Sequence, residues 1–326
     1  MNTVTLNIEK EYGLNVYKDI FFRYSEADKK KYIEFDYVNI FIEALNRLEK
    51  GLGDTLLEIF LTAKFPLNWQ YIRQEILNLG GFIGPVLCKN PGSAKFMDLL
   101  YRYDQPQGPL DEFLMNCHSG RAVDYRKTAT IKHVGLLLSH MHNGHGGKKV
   151  LNLGSGCGYD TIEMSDRDEI IAKQVSFINV DIDPQAIVKG KLLLQKGRYQ
   201  HLAGISFLES NMLRIRMKNA SVALIIGVLC GFSQNECVRN LRIVKSFIAP
   251  CGIVYGACVT DRMLFNDLFA SFVLEELLGW HLCYRKPEKV QEMFERAGYL
   301  WRPDLTFTEK PTQFYMIGAG EVPQKS

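Results

Sequence analysis

The chain has 326 residues, 47% of them hydrophobic and 23% charged, with a formal net charge of +3. That composition suits a globular protein long enough for one large domain or two, and the near balance of charge excludes the basic stripe of a nucleic-acid binder. The longest apolar stretch, around Val222–Phe232, is too short to span a bilayer, and the start of the chain shows no basic-then-apolar signal segment. The eight cysteines form no CxxC pair and sit mostly in apolar runs, as buried thiols do in a reducing compartment. The expectation is a cytoplasmic protein with no membrane and no nucleic-acid partner.

Residues 1–110 read as a helical domain. Val38, Phe41, Ile42, Leu45 and Leu48 recur at helical spacing before Gly51, and two further segments up to Leu79 repeat the pattern. "GPVLCKNPGSAKF" and "YDQPQGPLDEF" read as turn-rich breaks, and the second is the expected domain boundary. From there to residue 326 the texture is α/β. A helix, "RAVDYRKTATIKHVGLLLSHMH", precedes the strand "KKVLNL". Strands "VSFINVD", "ISFLES", "SVALIIGVL", "GIVYGACV" and "TQFYMIGA" follow, and helices lie between most of them. Pro184 suits a first helical turn, Ser233 and Glu236 form a capping-box pattern, and Gly298 closes the last helix. "FIAPCGIVYGA" reads as a helix, a Pro-x-Gly turn and a buried strand. Strands alternating with helices predict a mostly parallel, doubly wound sheet.

The chemical signal begins at "VLNLGSGCGYD". A buried strand runs into Gly154-x-Gly156-x-Gly158 and then a helix, so bare backbone is available for a ligand to approach. The loop includes Ser155, and its G-x-G-x-G spacing is tighter than the dinucleotide fingerprint. About 20 residues after a glycine loop an acid at a strand end binds ribose. Asp181 fills that place with Ile182 beside it, and Asp183 reads as the cap of the helix that starts at Pro184. Asn211 with Met212 at the next strand end suits an adenine, and Gly227 ends the strand after that.

This order of strands and motifs resembles the class I S-adenosylmethionine-dependent methyltransferase family over roughly residues 120–318. The resemblance implies a Rossmann-like seven-stranded sheet whose last strand is antiparallel and inserted between its neighbours. It implies S-adenosyl-L-methionine as cofactor, held by the glycine loop, by Asp181 at the ribose and by Asn211 and Met212 at the adenine. In the family an acid usually stands where this chain has Asn152, and usually an Asp where it has Asn211. An amide can still accept a hydrogen bond, but the charge attraction to the cofactor's ammonium weakens. Segments like "CHSGRAVDYRKT" often fold over the methionine end in this family, which makes Tyr125 or Arg126 a candidate for its carboxylate. The region "LGWHLCYRKP" often covers the acceptor, with His281 and Tyr284 as candidate catalytic residues and Arg285 as a possible contact.

No general base is named by the sequence, and methyl transfer needs one only where the nucleophile must lose a proton. His140, His142 and His145 read as a polar loop and not as a metal site, and the small size of Cys157 suits the glycine loop. The expected function is methyl transfer to a small-molecule acceptor, with residues 1–110 forming a lid. The same motifs also resemble nicotianamine synthase-like aminobutanoyltransferases, which transfer a different arm of the cofactor. A non-catalytic cofactor-binding protein is the third reading.

Overall fold

The computed structural model describes residues 80–102, 106–141, 148–195, 197–267 and 278–324, with a few isolated positions besides. The helices expected between Tyr37 and Leu79 lie almost wholly outside these residues, as do His142 and His145. Three helices open the described chain: α1 (Ile83–Lys89), α2 (Ala94–Arg102) and α3 (Pro109–Asn116). The long α4 (His118–His140) then feeds β1 (Lys148–Leu153). Next come α5 (Tyr159–Arg167), α6 (Glu169–Gln174), β2 (Val175–Asp181), α7 (Pro184–Leu194), β3 (Ile205–Glu209), β4 (Ala220–Ile225), α8 (Gln234–Lys245) and β5 (Ile248–Val259). The chain ends through α9 (Arg262–Asn266), α10 (Pro287–Arg296), the two-residue strands β6 (Leu300–Trp301) and β7 (Phe307–Thr308), and β8 (Tyr315–Glu321).

The strands form one sheet in the order β3-β2-β1-β4-β5-β8-β6, with β7 added against β8. The first five are parallel, while β8 runs antiparallel between β5 and β6. This is the doubly wound sheet that the alternating pattern predicts; the short β7 is an addition. Strand side chains alternate between faces, so β1, β2, β4, β5 and β8 each divide between two cores. Val150, Val222, Leu224, Ile253 and Tyr255 face α1–α6. Leu151, Leu153, Ala223, Ile225 and Val254 face α8 and α10. Ile83, Leu87, Phe96, Leu100 and Leu110 belong to the first of these cores, so the hydrophobic interior runs continuously across residue 110.

Local chemistry explains most boundaries. Pro109, Pro184 and Pro287 each occupy a first helical turn, where the missing N–H costs nothing. At α8 the capping box of Ser233 and Glu236 is complete in both directions. Two segments depart from the sequence reading. "GPVLCKNPGSAKF" holds α1, a turn at Asn90–Ser93 and the start of α2; its Pro-Gly pair breaks only the middle. "PCG" lies within β5, where Ala220 pairs with Ile248 but Val222 pairs with Ile253. The chain bulges there with Cys251 at φ 61°, and the Cys251 N–H donates to the Val322 carbonyl at 2.9 Å. That bond keeps the strand going where a turn is expected. Helix α6 had no apolar period long enough to read; the Asp168 carboxylate starts it by accepting the Ile170 and Ile171 N–H groups. Among the described residues no helix is long and apolar enough to cross a membrane.

Candidate cofactor and acceptor cavity

A cavity of about 720 Å³ opens at the carboxyl ends of β1, β2 and β4, the place where open α/β sheets bind their ligands. Its floor is the glycine loop. Gly154, Gly156 and Gly158 all take positive φ, at 67°, 54° and 74°, which glycine alone adopts without cost. The Gly154 and Ser155 N–H groups both donate to the Val180 carbonyl, at 2.8 and 3.1 Å, so the loop is stapled to the end of β2. Gly154, Ser155 and Gly156 line the cavity. Gly158 does not: it starts α5, and a Cβ there would stand 2.9–3.1 Å from the Phe207 ring and Asn179. Its role is close packing beneath the loop.

Asp181 lines the cavity with both oxygens already placed by backbone. Oδ2 accepts the Gly156 N–H at 2.7 Å and Oδ1 the Asp183 N–H at 2.9 Å. Each carboxylate oxygen retains a second lone pair, so two hydroxyls can still be accepted. Asp183 caps α7 through the Gln185 N–H at 2.8 Å. Ile182 is 69% exposed beside it and lines the cavity with Asn211 and Met212. The Asn211 Oδ1 accepts the Leu213 N–H at 2.9 Å, which fixes the amide and leaves its NH2 free to donate.

Arg126 stands on the buried stripe of α4, among Ala122, Val123, Thr130 and Ile131. It is 2% exposed, lines the cavity, and sits close to the bare backbone of Gly227, where a Cβ would come 3.1 Å from Nη1. Its Nη2 donates to the Tyr101 hydroxyl at 2.9 Å, and its guanidinium carbon lies 4.7 Å from the Tyr315 ring centre. Its Nε is buried with no partner among the described residues. Tyr125 does not line the cavity, because successive helical residues point about 100° apart. Of the two candidates on α4, only Arg126 faces the ligand space.

Asn152 also departs from expectation. It is 1% exposed and absent from the cavity wall. Its Nδ2 donates to Oδ1 of Asn179, its register partner on β2, at 2.9 Å, and that oxygen also accepts the Thr161 hydroxyl at 3.0 Å. The amide is a strut inside the sheet. Tyr284 packs against the core and does not reach the cavity, whereas His281 is exposed at its rim. Arg285 is buried and ties its segment to the loop after β4 through the Leu229 carbonyl at 3.2 Å and Gln234 Oε1 at 3.1 Å.

Sequence reasoning missed the opposite wall. The turn before α2 and the helix itself contribute Gly92, Ala94, Met97, Asp98 and Tyr101, and Phe232 and Trp280 line the cavity with them. Trp280 packs edge-on to Phe96, centroids 5.1 Å apart. Asp98, 4% exposed, accepts the Tyr159 hydroxyl and pairs with Lys189 on α7, so α2 is clamped across the glycine loop. Asp160 was missed although it ends the quoted glycine motif. It lines the cavity, and its Oδ1 is buried without a partner among the described residues. Burial pushes its carboxyl up to about 6 against the pull of Arg126 and Lys127.

The residues suit an adenosyl ligand carrying an amino-acid arm: hydroxyl acceptors at Asp181, an apolar edge at Ile182 and Met212, and an orphaned guanidinium nitrogen at the other end. No family model matches the chain, and no curated protein matches it by sequence. Among solved structures it is similar to a possible exported protein from Bordetella parapertussis, at TM-score 0.61 and 12% identity over 88% of this chain and 97% of that one. It is also similar to magnesium protoporphyrin IX methyltransferase from Synechocystis PCC 6803 with bound SAH, at TM-score 0.52 and 14% identity over 74% of this chain and 100% of that one. The same enzyme with bound SAM matches at TM-score 0.50 and 13% identity over 74% and 97%.

Proposed function

We propose that this chain, built on the fold of the class I S-adenosylmethionine-dependent methyltransferases, binds S-adenosylmethionine and methylates a small-molecule acceptor. The observation that carries the reading is one cavity lined both by the glycine loop with Asp181 and by an apolar, aromatic set of Met97, Tyr101, Phe232 and Trp280. Its volume of about 720 Å³ falls in the range of small-molecule sites, roughly 300–1,000 Å³.

Within that reading the glycine loop lies under the ligand, Asp181 accepts the ribose hydroxyls, and Ile182 and Met212 flank the adenine. Asn211 offers its amide to the adenine edge, and Arg126 meets the carboxylate of the amino-acid arm, with Gly227 leaving room beside it. When bound, the cofactor supplies an electrophilic methyl on a sulfonium. The chain's task is then to position the acceptor and exclude water. Met97, Tyr101, Phe232 and Trp280 provide the apolar surface for that, and helix α2 the cover. His281, which lines the cavity, is the candidate to take a proton from an acceptor that must lose one.

Titration calorimetry with S-adenosylhomocysteine tests the cofactor, and a metabolite screen scored for S-adenosylhomocysteine release tests the reaction. Methylthioadenosine as product would mean that the aminobutyryl arm is transferred. Absence of S-adenosylhomocysteine binding would remove the reading altogether.

A further inference from the structure

In the family this chain resembles, an acid usually occupies the position of Asn152, and here that position supplies no charge. The Asn152 amide is neutral, 1% exposed and bonded to Asn179 inside the sheet. A cofactor with an amino-acid arm brings an ammonium as well as a carboxylate, and a buried ammonium without a partner is costly. The cavity holds one carboxyl that no described residue satisfies.

We infer that Asp160 recognises the α-ammonium of the ligand's amino-acid arm, beside Arg126 for its carboxylate, and so takes over the charge that Asn152 lacks. This deepens the cofactor reading and rests on it. Three observations carry it. Asp160 lines the same cavity as Arg126 and the glycine loop. Its Oδ1 is enclosed with no hydrogen-bond partner among the described residues, and so is Arg126 Nε. The cations near it are engaged elsewhere: Arg126 donates to Tyr101, while Lys127 pairs with Glu163 at 2.9 Å and Asp124 at 3.3 Å. The cavity is thus lined by a carboxylate and a guanidinium, each with one enclosed atom left unpaired, and side chains of opposite charge are the complement of a zwitterion.

The plainer explanation is that Asp160 is an acid in the first turn of α5, favoured by the helix dipole. A dipole contact is served as well by a solvated carboxylate, and it gives no reason to enclose Oδ1 in a ligand cavity at a cost in ionisation.

Calorimetry on the full chain separates these explanations, using three ligands that share the nucleoside and the sulfur. S-adenosylhomocysteine carries the complete amino-acid arm, its deaminated analogue lacks only the ammonium, and methylthioadenosine lacks both charges. The parent protein is expected to bind S-adenosylhomocysteine at least about tenfold more tightly than the deaminated analogue, roughly 1.4 kcal/mol. Asp160→Asn is expected to erase that preference and to leave methylthioadenosine affinity unchanged. If the parent does not distinguish the first two ligands, or if Asp160→Asn keeps the preference, the inference is overturned while the cofactor reading stands. If Asp160→Asn weakens all three ligands equally, the residue is structural and the inference is again overturned. If the parent binds none of the three, the cofactor reading falls and the inference with it.

Discussion

Asp181 Oδ2 accepts the Gly156 N–H at 2.7 Å, so the acid at the end of β2 is bonded into the glycine loop that follows β1. The two residues therefore act as one unit. Removing the carboxylate takes away the acceptors that the proposed function assigns to the ribose and frees the glycine loop.

Asp181→Ala should accordingly weaken S-adenosylhomocysteine binding by about 2 kcal/mol or more, the usual scale for charged hydrogen bonds. Asp183 also lines the cavity, but its carboxylate caps α7, so Asp183→Ala should cost about 1 kcal/mol of stability and far less affinity than Asp181→Ala. Calorimetry and thermal melting of the two variants check this; equal losses of affinity would show that the wrong aspartate is assigned to the ribose.

Asp160 gives a pH dependence whose sign is opposite to that of a salt-bridged carboxylate. Its carboxyl is raised from 3.8 to about 6 in the folded protein, through burial first. Between those values the folded state holds more protons than the unfolded chain, so stability falls as pH rises through about 6. The full loss is ~3 kcal/mol. Asp160→Asn should therefore be more stable than the parent at pH 7.5, and the difference should vanish near pH 4. Urea denaturation at the two pH values measures it, and a variant less stable than the parent at pH 7.5 contradicts the sign.

Asp98 links α2 to the glycine-loop helix through Tyr159 and to α7 through Lys189. Lys189 is partly exposed and can be solvated when its partner is lost, so Asp98→Asn should cost about 1–2 kcal/mol, below the figure for a fully buried pair. The effect should concentrate in α2, with faster amide exchange over 94–102 and faster release of S-adenosylhomocysteine. Uniform exchange changes across the sheet would show that Asp98 supports the whole fold and not the cover.

Gly154 is held by two separate constraints. Its φ is 67°, and a Cβ there would lie 2.3 Å from Val228 Cγ2. Gly154→Ala should destabilise by about 1–2 kcal/mol from the dihedral and by a further steric amount. Adding Val228→Ala should recover the steric part only. A double-mutant cycle by thermal melting isolates that coupling; strict additivity would mean that the loop moves away from Val228 without cost.

The sequence by itself determined the sheet and the wall of the cavity that the proposed function assigns to the nucleoside. Both depend on local rules: strands alternate in period two, prolines and Ser233 start helices, and a ligand-facing turn between β1 and α5 needs glycines followed by an acid one strand later. Those signals survive without neighbours, so Gly154, Gly156, Asp181, Ile182, Asn211 and Met212 were all legible and all line the cavity. Only the tertiary structure decided the rest. Arg126 and Tyr125 are adjacent in sequence, and the facing of α4 against the sheet selects Arg126. Asn152 and Asn179 are 27 residues apart, and only strand register makes them a pair that keeps Asn152 out of the cavity wall. Asp98 and Tyr101 reach the cavity through packing of α2 across the glycine loop, and Trp280 lines it beside its ring contact with Phe96 of α2, contacts distant in sequence that no local period encodes. Asp160 was in plain view beside the glycines, but its importance lies in what does not touch it, and an unsatisfied atom exists only once the chain has enclosed it.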